Sequence, residues 1–585
     1  MVCASHRRQV SEILRTYSNA LHTPRRMPTN KYQCKSNVKL TSFFALIVNL
    51  HFSFAYTKDN FIVEGDKNSP VVNQSQNTIC SKTAIGDDLK PNIVLIMADD
   101  LGWGDFGSYW PHTALTPNVD AITKEGMRLT DFHASASVCA PSRSALLTGR
   151  LGLRTGVVQN FAKDAVGGIP ENETTLAEIL RDAGYRTAMI GKWHLGTSPG
   201  HHPIDKGFQA YLGIPYSIDM GCTDPPGANL PACPPCPHEN MVFNKENDCH
   251  ISCDEELALP LYVNKTIIQQ PAQLRHLSEM YAKFAEEFMS ERKEPFFMYV
   301  ALSHIHVPLA HGPIFENITG KGIFADTLFE MDWLIGKIVR TAMRYSKNNL
   351  IWILSDNGPW EVKCDLSGSS GPFVGAWQRD VLHGGGGGSA AKQTVWEGGH
   401  RVPSLVLWPG YIEPGSMSNA LVSALDVFPT IAAVCNISLP TDRYFDGIDV
   451  QGILTGELEK AHEVLFHPNS GAVGPEGEIG AVRIQEYKVV YYSGGSPECG
   501  GRTGPSVSHI SSPLVFNLKN DPGETYPLKV TSSEWKATVH ASGQALAWLH
   551  ENVQQDNTST VDYTKEHSAR PCCDKYSPIC RCPWD

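Results

Sequence analysis

Four nearly unbroken apolar runs stand out along the chain, and each ends in a cluster of polar residues. Residues 93–97 run into Asp99-Asp100, 187–190 into Lys192-Trp193-His194, 296–302 into His304 and His306, and 350–354 into Asp356-Asn357. Runs that do not alternate with polar positions predict strands buried on both faces, as in a parallel sheet. Ligands in such sheets bind beyond the carboxyl ends of the strands, which is where these polar clusters fall. Between the runs the spacing becomes helical. Thr175 and Glu178 make a capping box ahead of Leu176, Ile179 and Leu180, with Gly184 placed to end that helix. Leu277, Tyr281, Phe284 and Phe288 recur at helical intervals, as do Leu334, Ile338 and Ala342. Alternating strands and helices predict an α/β sandwich with a central, mostly parallel sheet. From about residue 461 the pattern changes: 481–484 and 487–492 predict a hairpin, 513–518 a further strand and 533–552 a helix, a smaller C-terminal α+β subdomain.

The 585 residues suit one large domain with a smaller partner, and 42% hydrophobic with 19% charged residues is a globular composition. The expected divisions are an N-terminal extension with signal peptide (1–55), a lead-in (56–90), a catalytic domain (91–460) and a C-terminal subdomain with a Cys-rich tail (461–585). A net charge of -12 and no long basic block argue against a nucleic-acid surface. An acidic protein that takes an anionic substrate needs a locally basic pocket. The apolar run 43–48, extended by Leu50, Phe52 and Phe54, is too short to span a membrane. Lys31, Lys35 and Lys39 precede it and Ser53-Phe54-Ala55 offers a cleavage site, so it predicts a signal peptide. A start at Met27 gives that signal an ordinary length, and Met1 and Met27 both stand as starts. Sixteen Cys residues fit an oxidising compartment. Setting aside Cys3, Cys34 and Cys139 leaves thirteen, so at least one has no partner. Cys222, Cys233, Cys236, Cys249 and Cys253 crowd one insertion, and Cys572, Cys573, Cys580 and Cys582 staple the tail; disulfides are expected over zinc. Sequons at Asn73, Asn172, Asn264, Asn317, Asn436 and Asn557 agree with secretion. Residues 225–237 predict a loop over the site, and the Gly384–Gly388 run a flexible segment with no P-loop lysine after it.

Asp99 and Asp100 at one strand end, with Asp356 and Asn357 at another, put hard oxygen ligands on one sheet edge. That donor set suits calcium or magnesium. Asp105 reads as structural. Removing Asp356 is expected to abolish metal binding and activity, with less effect on folding.

The run from Cys139 to Arg150, Cys-Ala-Pro-Ser-Arg-Ser-Ala-Leu-Leu-Thr-Gly-Arg, resembles the signature of the sulfatase family, Cys-x-Pro-Ser-Arg followed by Leu-Thr-Gly. The resemblance implies an alkaline-phosphatase-like fold and a sulfuric ester hydrolase. It also implies that formylglycine-generating enzyme oxidises Cys139 to a formylglycine aldehyde, whose hydrate attacks the sulfur of a sulfate monoester. It carries Asp99, Asp100, Asp356, Asn357 and the modified Cys139 over as ligands of one divalent cation, most simply Ca2+. Lys192 then binds a sulfate oxygen, His194 holds the hydrate, and Arg143 pairs with the metal-bound carboxylates. His306 matches the family's His-x-Pro element, whereas His304 reads as a core residue. Lys392 matches Lys-x-Thr-x-x-Glu-Gly-Gly. Ser217 matches a pocket serine, but Ile218-Asp219 follows it where the family commonly has His-Asp, so altered substrate contacts are expected. His306 or Lys392 protonates the leaving alcohol.

Residues 151–157, 220–224, 467–471 and 571–582 narrow the resemblance to a lysosomal arylsulfatase type. This implies a lysosomal enzyme, reached through the secretory pathway, acting on the 3-O-sulfate of N-sulfoglucosamine in heparan sulfate. Small aryl sulfates would be reporters, and activity is expected to peak below neutral pH. No nucleic-acid partner or membrane span is expected. Two other readings stand beside this one: a phosphoesterase on the same scaffold, which uses Ser or Thr and two zinc ions, and a silent calcium-holding glycan binder with Cys139 unmodified.

Overall fold

In the computed structural model, residues 90–223, 226–229, 257–291, 295–573 and 580 are described. They belong to the second of two units, Ile85–Asp585; the first, Met1–Ala84, lies outside the described residues. The signal peptide, Asn73, Cys233, Cys236, Cys249, Cys253, Cys582 and most of the 225–237 excursion therefore lie outside them as well.

The four apolar runs form neighbouring strands of one ten-stranded sheet. Asn92–Ala98 pairs in parallel with Phe296–Ala301 on one side and Asn349–Ser355 on the other, and Arg186–Lys192 continues the parallel array beyond Phe296–Ala301. Ala210–Ile214 adds a fifth parallel strand. Antiparallel strands then complete both flanks, Ser404–Leu407 beside Asn349–Ser355 and Leu261–Val263 beside Ala210–Ile214. Alternate residues of each central strand feed two separate cores. Ile93, Leu95 and Met97 join one cluster, while Val94, Ile96 and Ala98 join the other. That two-sided burial is why the runs lack polar alternation.

Each face is covered by helices, most with one apolar stripe and Cys139–Thr148 buried all round. Cys139–Thr148, Leu176–Asp182 and Val427–Val434 cover one. Leu277–Ser290 and Ile323–Tyr345 cover the other, burying Leu277 and Tyr281, and Leu334, Ile338 and Ala342, as the spacing predicted. Each large apolar side chain so buried contributes roughly 1.5–3 kcal/mol. The Thr175 capping box is formed: Glu178 N–H donates to Thr175 Oγ1 at 3.2 Å, and Thr175 N–H to Glu178 Oε2 at 2.8 Å.

A second, antiparallel sheet takes Val464–Pro468, Ile479–Ile484, Tyr487–Val490 and Leu514–Asn517, with the Ser533–Gln554 helix packed against it. The expected strand 487–492 stops at Val490. Tyr491 N–H turns to Gly480 O, and Tyr492–Ser493 pairs with Val507–Ser508 in a separate two-stranded sheet. The glycine run is pinned, not loose. The buried Gln378 amide donates to Gly385 O and Gly387 O, while Gly386, Gly387 and Gly388 hold φ of 78°, 101° and 97°, which side chains avoid. Disulfides join Cys364 to Cys499 and Cys572 to Cys580, and Cys435 remains a buried free thiol.

Candidate active site

The polar clusters converge at the carboxyl end of the parallel strands. Asp99 and Asp100 leave Asn92–Ala98, and the chain turns there through φ +59° at Asp100. Asp356 N–H donates to Ala98 O at 3.1 Å, and Asp100 N–H donates to Asp356 Oδ1 at 3.1 Å, locking the two loops together. Asn357 Nδ2 donates to Asp100 Oδ1 at 2.8 Å. Its Oδ1 is buried with no hydrogen-bond partner.

Cys139 begins the helix Cys139–Thr148, every residue of which is buried. Its Sγ lies 3.7 Å from Asp99 Oδ1. One turn on, Arg143 points back into the same site: its Nε and Nη2 reach Asp356 Oδ2 at 3.0 and 2.7 Å, and Nη1 reaches Lys192 O at 3.0 Å. Lys192 Nζ sits 2.7 Å from Asp99 Oδ2 and 3.4 Å from Ser217 Oγ. Lys392 Nζ sits 2.6 Å from Asp100 Oδ1. His306 donates from Nδ1 to Val307 O, leaving Nε2 facing Ser217 Oγ at 3.3 Å and Asp100 Oδ2 at 3.5 Å. His194 is buried at φ +60°, and neither ring nitrogen has a partner. All eleven residues named from the sequence thus meet in one place.

The electrostatics follow from burial and pairing. Burial alone would raise the Asp99 carboxyl, but Lys192, His306 and Arg143 hold it below the ordinary value. Burial opposes charge on Lys192 and Lys392 too; Asp99 and Asp100 respectively overcome it and keep both charged. The Cys139 thiol is pushed up to about 12, chiefly by burial. His194 is driven well below the usual imidazole range by burial and then by Lys192, Arg143, His306 and Lys392. That direction favours the neutral ring and points away from His194 as the group behind an acidic optimum.

Ligand atoms of Asp99, Asp100, Cys139 and His306 lie within 4.8 Å of one another. Carboxylates beside a buried, unpaired amide oxygen fit a hard divalent cation, because an orphaned acceptor is costly to bury. A second group of similar spacing, His133, Glu397 and His467, does not fit one. There Lys488, Arg483 and Arg401 already pair with Glu397, Arg483 and Arg401 with Asp131, and Lys488 with Glu524.

His304 faces away, its Nε2 3.1 Å from Ser278 Oγ and 3.2 Å from Glu330 Oε2. Asp105 accepts from Gly102 N–H at 2.7 Å and Ser369 N–H at 2.9 Å, a structural role. Two residues at the site were not singled out from the sequence. Asp219 bonds Ser217 and is held below the ordinary carboxyl value by His306, Lys392 and Lys192 against its own burial. Trp360 packs its ring 5.5 Å from that of His306 and 4.7 Å from Lys392 Nζ. The available signal was adjacency, since each lies within three residues of a motif position.

The match to known proteins is extensive. The family described as Sulfatase matches residues 91–437, and the C-terminal region of aryl-sulfatase matches 460–582. The chain belongs to the sulfatase family. Among sulfatases, the arylsulfatase G of Rattus norvegicus is 49% identical over 498 residues, covering 84% of this chain and 93% of its own length. Arylsulfatase A of Homo sapiens is 37% identical over 453 residues, 75% of this chain and 83% of its own. The crystal structure of the PsFucS1 sulfatase from Pseudoalteromonas sp. superposes with a TM-score of 0.66 at 26% identity, covering 81% of this chain and 92% of that one. The sulfatase fold is the alkaline-phosphatase-like one expected, and the protein is a sulfuric ester hydrolase.

Proposed function

We propose that this sulfatase removes the 3-O-sulfate of N-sulfoglucosamine during heparan sulfate breakdown, with Cys139 matured to formylglycine by formylglycine-generating enzyme. The observation that carries the reading is the junction of Cys139, three cations and the carboxylate-amide set at one strand end. An unmodified Cys139 thiol, pushed to about 12 by burial, would stay protonated and be a poor nucleophile. Formylglycine supplies a hydrated aldehyde, hence an oxygen nucleophile, at the same position. One Ca2+ would be held by Asp99, Asp100, Asp356 and Asn357 with residue 139, where it supplies Lewis-acid charge to the sulfate oxygens.

The chain's own residues supply the remainder. Lys192 and Lys392 bind sulfate oxygens and stabilise charge that develops as the ester bond breaks. Arg143 fixes the Asp356 carboxylate in a two-pronged contact and so orients the metal-binding edge. Neutral His194, with both ring nitrogens free of protein partners, orients the hydroxyls at position 139. His306, or Lys392 beside it, delivers a proton to the departing alcohol oxygen. Burial of these groups excludes bulk water and strengthens each interaction.

The similarity to arylsulfatase G motivates the substrate and the lysosomal placement, and the disulfides fit passage through an oxidising compartment. Among the described residues no helix is long and apolar enough to cross a membrane. Asn172, Asn317, Asn436 and Asn557 are exposed and Asn264 is half-buried, positions open to glycosylation. Comparing hydrolysis of oligosaccharides ending in 3-O-sulfated, 6-O-sulfated and galactosamine-type sulfates at acidic and neutral pH tests the substrate. Preference for the 3-O-sulfate, with faster turnover in acid, is expected. Preference for either other sulfate, or an alkaline optimum, overturns it.

A further inference from the structure

Beside the sulfate pocket lies a small, half-open cleft of about 10 Å3 whose wall includes Asp100, Ile305, Val307, Trp360, Lys363 and Leu366. That is room for about one water molecule, so the cleft places Lys363 beside the sulfate pocket without itself enclosing a ligand group. It shares Asp100 with the catalytic constellation, so Lys363 stands next to the sulfate pocket.

Of its two charged wall residues, Asp100 is paired with Lys392, which leaves the charge of Lys363. Lys363 Nζ lies 4.3 Å from the centroid of the Trp360 ring, and Lys392 Nζ lies 4.7 Å from the same centroid. The two ammonium groups are therefore within about 9 Å of each other. Their situations differ. Lys392 is paired with Asp100 at 2.6 Å, whereas Lys363 makes no ion pair among the described residues. An aromatic face steadies a cation without neutralising it. The cation is thus positioned but has no counter-ion.

The segment that carries it is braced on both sides. Glu361 accepts from Ser389 Oγ at 2.8 Å and Ala390 N–H at 3.3 Å and pairs with Arg379. Cys364, next to Lys363, is disulfide-bonded to Cys499. A solvated surface lysine requires no such support. A protein of net charge -12 also repels polyanions at long range, so each local cation facing the substrate matters for capture.

We propose that Lys363, backed by Trp360, forms a second anion subsite that reads a sulfate or carboxylate on the glycan beyond the ester being cleaved. This rests on the sulfatase reading of the neighbouring pocket. The subsite distinguishes multiply charged sugars from small aryl sulfates, which carry a single anionic group and do not reach it.

Calorimetric binding of a disulfated glucosamine, a monosulfated glucosamine and a monosulfated uronate-glucosamine disaccharide to the wild type and to Lys363→Ala, Lys363→Glu and Lys363→Arg tests the proposal. Turnover of a small aryl sulfate is measured in parallel. Lys363→Ala is expected to weaken a doubly charged ligand about tenfold and Lys363→Glu more, with Lys363→Arg near wild type. Monosulfated binding and aryl sulfate turnover should be unchanged. Loss confined to the disulfated sugar identifies a sulfate site, and loss confined to the disaccharide a carboxylate site. Equal losses on singly and doubly charged ligands, or none on any, overturn the proposal. Because binding needs no turnover, a wild type that binds selectively but hydrolyses no sulfate ester would refute the functional reading and leave the subsite standing.

Discussion

Asn357 is the most informative single residue for the proposed calcium site. Its Nδ2 is engaged by Asp100 and Gly358, yet its Oδ1 is buried without a partner. Asp356 is a poorer probe than its sequence position suggests. It takes two bonds from the fully buried Arg143, whose remaining carboxylate partner is Asp99 at 3.5 Å, so Asp356→Ala would weaken the pairing of a buried charge and lower stability as well. Its removal therefore acts on folding as well as on the site, which makes a loss of activity harder to assign. Asn357→Ala deletes the orphan oxygen at the cost of weaker bonds. It should reduce calcium affinity by roughly tenfold or more while thermal unfolding without calcium changes little. Unchanged calcium affinity on titration would remove Asn357 from the ligand set.

The elements show what long-range charge adds. Glu397, in the short helix Glu397–His400, receives Lys488 at 3.0 Å and Arg483 at 3.2 Å from the second sheet, and Arg401 at 3.4 Å from its own segment. Burial would raise its carboxyl, but Lys488, Arg483, His133 and Arg401 hold it well below the usual range. Glu397→Gln keeps the shape and removes the charge, so it should destabilise by roughly 3–5 kcal/mol, read as a lower denaturant midpoint. An unchanged midpoint would show the network to be dispensable. The sequence could not reveal this pairing, because partners such as Asp131 and Arg483 are separated by 352 residues. The parallel strands were legible because two-sided burial writes itself as an unbroken apolar run. Ala210–Ile214 was not, since five residues including Gly213 give little pattern. The candidate cluster was legible in part for a related reason: Asp99, Asp100, His194, His306, Asp356 and Asn357 follow closely after strands, whereas Cys139, Arg143 and Lys392 do not and were legible through the family signatures. Lys363 follows no strand directly, and only the fold shows what it faces.

At the scale of the whole molecule, pH acts through buried groups with opposite signs. Burial lowers His133 and His467, and lowers His400 to about 3. The unfolded chain protonates such rings below roughly pH 6.5, whereas the folded chain does not. The stability this gives is full above that pH and is lost as pH falls towards 3. Glu524 works in reverse: burial raises it to about 7, so the folded state takes up the proton first and gains stability as pH falls from 7. His400→Asn retains a donor for Ala134 O and removes the titrating ring. Its loss in Tm relative to the wild type should be smaller at about pH 4.5 than at about pH 8; a larger loss in acid would contradict the sign. The central claim is more direct. Mass spectrometry of the Cys139 peptide, from active enzyme made in secretory cells, should show an aldehyde or its hydrate in place of the thiol. An intact thiol in fully active protein would contradict the account.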